Sequence, residues 1–199
     1  MSQVSFILQK QGSSIFKDSG SKFFGFAFPV TTAQAIKERL DSLHQQYPDA
    51  TRICFAWCLG LEHWRTSDGG EPAHSAGFPI LRQIQAMQLT NTLVAVVRYF
   101  GGKKLGVPGL IHAFGEAARL ALLSGELADY KVYSSVKISF QYTHEGEVSK
   151  ILKAFSAQVK EQAFAEGVTM SLEVETVLFA DFLKVIEGMY GIDVLKVNP

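Results

Sequence analysis

Hydrophobic and polar positions change period several times along this chain, and each change marks an element. Ser14 to Val30 (SIFKDSGSKFFGFAFPV) holds two apolar stretches around the Asp18-Ser19-Gly20-Ser21 turn cluster and predicts a strand pair. Ile36, Leu40, Leu43 and Tyr47 then recur at helical spacing, with Thr31 and Gln34 placed as a capping box and Pro48 ending the run. Ala50 to Gly60 predicts the next strand. Leu61 to Gly77 (LEHWRTSDGGEPAHSAG) has no period and predicts a long loop, the kind that tends to be functional. A short helix is expected over Pro79 to Met87, with Ile80, Leu81, Ile84 and Met87 on one side. Thr92 to Phe100 (TLVAVVRYF) predicts a buried strand. From Pro108, which suits a first helical position, Leu110, Phe114, Ala117, Ala118 and Ala121 trace a helix that Gly125 stops.

Gly125 to Lys131 predicts a boundary, because the pattern restarts beyond it as a small complete unit. Tyr133 to Tyr142 alternates as a strand, and Glu145 to Val159 is helical through Val148, Ile151, Leu152 and Phe155. Two strands follow around Glu166-Gly167, Lys160 to Phe164 and Val168 to Val174, then a helix over Thr176 to Met189 and a strand over Ile192 to Val197. That order, βαββαβ, is the ferredoxin-like split arrangement. The expectation is an α+β chain of two domains, 1–128 and 129–199.

Composition supports packed domains: 47% of the 199 residues are hydrophobic and 19% charged. The densest apolar run, Phe23 to Val30, is strand-sized, and the first residues lack the pattern of a signal peptide. The expected compartment is the cytoplasm. Net charge is zero but uneven: residues 1–131 carry 13 Lys and Arg against 10 Asp and Glu, residues 132–199 carry 6 against 9. Only the first half offers a basic face, and a modest one, so strong nonspecific nucleic-acid binding is not implied. Cys54 and Cys58 lie four positions apart on one expected strand, about 13 Å, too far for a disulfide and poorly spaced for a metal. Two reduced thiols on one sheet face are expected, with no metal and no cofactor.

Three constellations carry candidate chemistry. At the junction of the buried strand and the Pro108 helix stand Arg98, Gly101, Gly102, Lys103, Lys104 and Gly106. Glycine lets a ligand approach the backbone, and exposed amides, lysines and a helix N-terminus suit an anion. The G-K-[ST] of a Walker loop and the G-x-G-x-x-G of a dinucleotide site are both absent. Arg98 lies within the strand, so pairing with a carboxylate such as Asp68 or Glu71 stands beside the anion role. The second constellation is the loop of Asp68, Glu71, His74 and Ser75, which holds every residue type an acid–base or nucleophilic site needs. One loop rarely brings its own nucleophile, base and orienter into register, so a structured loop is the expectation and no catalytic residue is assigned. Third, His112, Glu116 and Arg119 share a helix face, where Glu116 and Arg119 are expected as a surface ion pair.

The order D-G-G-E-P-A-H-S-A-G-F-P-I-L followed by T-N-T-L-V-A-V-V-R-Y-F-G-G-K-K-L-G-V-P-G-L resembles the IMPACT/YigZ family through most of residues 14–123. The resemblance implies two domains, similar to domains four and five of elongation factor G, and a link to translation with RNA or ribosome binding. This chain departs from the family pattern in carrying Gly69 where a second Asp is usual, and His74 where relatives carry Gly. It also has Arg52 where a His is expected and Val107-Pro108 after the Lys-Leu-Gly. The core of Arg98, Gly101, Gly102, Lys103 or Lys104, Leu105 and Gly106 is kept, so a shared function belongs there rather than in the loop.

The reading is therefore an RNA-binding or ribosome-associated protein, a regulator of translation and not an enzyme. Two alternatives stand beside it: a small hydrolase using the 68–75 loop, and a regulator that binds a protein partner in translation control.

Overall fold

The computed structural model describes residues 6–60 and 63–198. The chain divides into two units, Met1–Tyr130 and Lys131–Pro199, each built around its own apolar core. The first unit contains strands β1 (Phe6–Lys10), β2 (Gly12–Asp18), β3 (Ser21–Pro29), β4 (Arg52–Leu59), β5 (His63–Ser67), β6 (Leu89–Thr90), β7 (Thr92–Tyr99) and β8 (Glu126–Asp129). Its helices are α1 (Ala33–Gln46), α2 (Gly77–Ala86) and α3 (Gly106–Leu123).

Five strands form an antiparallel sheet in the order β2-β3-β7-β4-β5. β7 is its centre, buried along its whole length except at Tyr99. Side chains on a strand alternate between faces. Leu93, Ala95 and Val97 therefore pack with Ile36 and Leu43 of α1, while Val94 and Val96 pack with Ala113, Phe114, Ala117 and Ala118 of α3. The same parity places Arg98 on the α3 side. Helices on both faces explain why β7 is apolar without alternation.

The second unit contains β9 (Tyr133–Phe140), α4 (Glu145–Ala154), β10 (Gln158–Phe164), β11 (Val168–Glu175), α5 (Thr176–Glu187) and β12 (Ile192–Asn198). Its antiparallel sheet runs β10-β11-β9-β12, the strand order of the split βαββαβ arrangement. Val136, Ile138 and Phe140 of β9 and Met170 and Leu172 of β11 face Val148 of α4 and Phe182 and Ile186 of α5. The chain is α+β in two domains.

Several local expectations are corrected. The stretch 61–77 is not all loop: β5 pairs with β4 from His63 to Ser67, and residues 61 and 62 lie outside the described residues. The interval 125–131 holds β8, which pairs with β1. Thr32, not Thr31, caps α1 by accepting the Ala35 N–H at 3.1 Å, and Gln34 donates instead to Glu38. α3 begins at Gly106, two residues before Pro108, and α4 ends at Ala154, well short of Val159. No helix among the described residues is long and apolar enough to cross a membrane.

Candidate functional site

Arg98 is the penultimate residue of β7, and the sheet brings it beside Phe23 of β3. Its guanidinium stands 5.6 Å from the Phe23 ring centroid and 5.7 Å from that of Phe100. Nη1 donates to Glu71 Oε1 at 2.5 Å, and the two side chains are only 8% and 7% exposed. Arg98 is thus half of a buried ion pair rather than a free cation, the carboxylate role weighed for it above, with Glu71 and not Asp68 as partner. A buried charge is tolerated only when it is paired.

Glu71 reaches Arg98 because the preceding loop is held by Asp68. Asp68 Oδ2 accepts the His74 N–H at 2.9 Å, and Oδ1 accepts the N–H groups of Ala76 at 3.0 Å and Gly77 at 2.8 Å. The carboxylate therefore sits at the start of α2, where unpaired N–H groups favour negative charge. Ser75 is fully buried and donates its hydroxyl to the Pro72 carbonyl at 2.7 Å. His74 has φ 62°, the left-handed region that favours glycine, and its ring meets the edge of Phe78. Ser75 and His74 do not hydrogen-bond each other, so no nucleophile–base pair exists in this loop. Burial pushes the Cys54 thiol far above its usual pKa, and the Glu71 and Asp68 carboxylates push it further; it is no nucleophile either. Cys54 and Cys58 are free thiols on the α3 side of β4. Among the described residues no cluster of His, Cys, Asp and Glu is placed to hold a metal.

The glycines at the junction do three different jobs. A side chain at Gly101 would run into the Gly20 backbone, and the Gly101 N–H donates to Ser21 Oγ at 3.2 Å. Its smallness serves the packing of the β2–β3 turn, and its amide is not open to a ligand, contrary to the sequence expectation. Gly102 (φ 86°) and Gly106 (φ 70°) hold left-handed conformations with open space beside them. Lys103 and Lys104 between them are exposed, and neither has an acidic partner among the described residues. α3 then starts at Gly106 with no side-chain cap and no acidic residue in its first turn. His112, further along α3, packs edge-on against Phe16, while Glu116 and Arg119 form the expected surface pair.

The buried ion pair, Lys104 and the start of α3 border one cavity of about 350 Å³. Arg98 and Glu71 lie in its buried part, Leu105 and Leu110 in its walls, and Phe100 and Lys104 among its exposed members. Lys104 is among its lining residues and Lys103 is not. Phe100 was not singled out from sequence; an aromatic that follows the strand's last residue and precedes two glycines has nowhere to be buried, and it is 47% exposed.

The family model described as the Impact N-terminal domain matches residues 19–122, which includes the loop, the junction and α3. A Bacillus subtilis protein, IMPACT family member YvyE, is 30% identical over 172 residues, 85% of this chain and 79% of the relative. The chain belongs to the IMPACT family. A second family model, a domain of unknown function (DUF1949), matches residues 138–185. Among solved structures, one described as a hypothetical protein has a TM-score of 0.69 at 23% identity, covering 98% of each chain, a likeness of fold. Another, described as the two-domain translational regulator Yih1, is 27% identical, covers 59% of this chain and 48% of its own, and has a TM-score of 0.39.

Proposed function

We propose that this chain is an RNA-binding regulator of translation, and that RNA lies along the junction between β7 and α3. One observation carries the reading: two exposed lysines, without acidic partners among the described residues, precede a helix start that no side chain caps, beside a half-exposed aromatic ring. Uncapped N–H groups and the helix dipole attract phosphate, lysines add point charges, and an exposed phenylalanine stacks a base. Because Lys103 and Lys104 are consecutive and only Lys104 lines the cavity, they fit neighbouring phosphates of an extended strand better than one mononucleotide phosphate. Translation is the setting that the family resemblance implies, through domains similar to the fourth and fifth of elongation factor G. The loop of Asp68, His74 and Ser75 serves this site as scaffolding, since its polar groups are engaged with the backbone.

Ultraviolet cross-linking in cells expressing the full chain tests the proposal. The expected result is RNA covalently attached to the protein, reduced several-fold when Lys103 and Lys104 are both replaced by Ala. Recovery of protein partners with no RNA, from both wild type and variant, would replace this reading with that of a protein-docking regulator.

A further inference from the structure

The cavity beside the junction gathers the three kinds of group that one chemical object would need. Arg98 and Glu71, a donor and an acceptor, line it and are both more than nine-tenths buried. Leu105, Leu110 and Phe100 are its apolar lining. Lys104 and the first residues of α3, Gly106 and Val107, line it as well and are exposed. A nucleotide carries the matching parts: a polar base edge, a flat apolar body, and a phosphate.

The buried pair is also unfinished. Among the described residues the Arg98 guanidinium donates only to Glu71, and its Nε is buried with no partner at all. An idle buried donor is costly, and a native structure that keeps one calls for an explanation. Glu71 is acceptor-only, and its second oxygen takes no hydrogen bond from the described residues. A guanidinium with one idle nitrogen and a carboxylate with one idle oxygen thus both line a cavity of about 350 Å³, within the range of small-ligand sites.

Resting on the RNA reading above, we infer that this cavity takes one unstacked nucleotide and that its base is guanine. Guanine presents two neighbouring N–H donors, at N1 and N2, next to the O6 acceptor. Glu71 accepts the two donors and Arg98 donates to O6. Adenine and cytosine offer a single donor group on that edge, and uracil offers one N–H between two acceptors, so each leaves part of the carboxylate unused. Phe100 covers one face of the ring, as exposed aromatics do for unstacked bases. The phosphate falls at Lys104 and the α3 start. Lys103, outside the cavity, meets the next phosphate of the strand.

Titration of the 199-residue chain with GMP, AMP, CMP, UMP and inorganic phosphate, followed by calorimetry, tests this directly. GMP is expected to bind at least about ten-fold more tightly than the other three, the discrimination one bidentate base contact supplies. Glu71→Gln is expected to abolish that preference, while Lys104→Ala weakens all four nucleotides by a similar factor and keeps their order. Equal affinity for the four nucleotides overturns the inference, as does displacement of GMP by an equal concentration of inorganic phosphate. So does an unchanged guanine preference in Glu71→Gln. Should that variant fail to fold, the wild-type ranking of the nucleotides decides alone. RNA binding without a guanine preference removes the pocket and leaves the junction reading intact; guanine preference without RNA binding does the reverse.

Discussion

Asp68 illustrates how a residue that looks catalytic is committed to structure. Burial raises its carboxyl pKa, but the N–H groups of Gly77, His74 and Ala76 outweigh that and hold it below the usual value. A carboxyl whose folded pKa is depressed contributes stability that is present above its unfolded pKa, about 3.9, and lost as pH falls through the folded value. Urea unfolding from neutral pH down to about pH 3 is therefore expected to show acid destabilisation that is smaller in Asp68→Asn. At neutral pH that variant should be less stable by about 1–3 kcal/mol, because a neutral amide serves three donors poorly. Arg98 and Glu71 set a larger effect. Glu71→Ala strands a guanidinium between Phe23 and Phe100, and a loss of about 3–5 kcal/mol in unfolding free energy is expected. A loss below about 1 kcal/mol would mean that Arg98 has found another partner. The sequence left Arg98 open between an anion and a carboxylate, because strand parity gives its face but not what lies opposite. Gly101 was misread for a related reason: a turn glycine that packs against Gly20, eighty-one residues earlier, looks locally like one that admits a ligand.

At the scale of elements, periodic segments were legible and short polar ones were not. α1, β7, α3 and the whole order of the second unit follow from apolar spacing that burial enforces. β5 reads HWRTS and sits at the sheet edge with its first three residues exposed, so nothing in its pattern alternates. β8 reads ELAD, and its pairing with β1 depends on a segment more than a hundred residues away. Both are backbone-driven strands, invisible to side-chain periodicity. The cap of α1 shows the same limit at finer grain, since Thr31 and Thr32 both suit an N-cap and only the chain's entry angle selects Thr32. Thr32→Ala should destabilise the first unit by about 1 kcal/mol while Thr31→Ala leaves it nearly unchanged, as thermal unfolding can measure. The reverse, a cost from Thr31→Ala and none from Thr32→Ala, would place the cap one residue earlier. The candidate site was legible in its lysines and in the helix start, which are local features. The cavity was not, because it is assembled from a loop, a strand end and a helix.

At the scale of the whole molecule, each unit closes its own core. Residues 131–199 bury Val136, Ile138, Phe140, Leu172, Phe182 and Ile186 among themselves. We expect this fragment, expressed alone, to unfold in one cooperative urea transition; a gradual, non-cooperative loss of circular dichroism would show that it depends on the rest of the chain. The basic excess lies in the other half, and there the account places RNA. Binding through phosphates releases counterions, so affinity should fall steeply with salt and do so with a slope set by the number of contacts. The most direct test is the affinity of wild type and of Lys103→Ala/Lys104→Ala for a short unstructured RNA across a salt series. The account predicts weaker binding by the variant at low salt and a slope reduced by about one or two units, with the thermal transition unchanged. Identical affinities and slopes for the two proteins would contradict it, leaving the two lysines as a solvated turn.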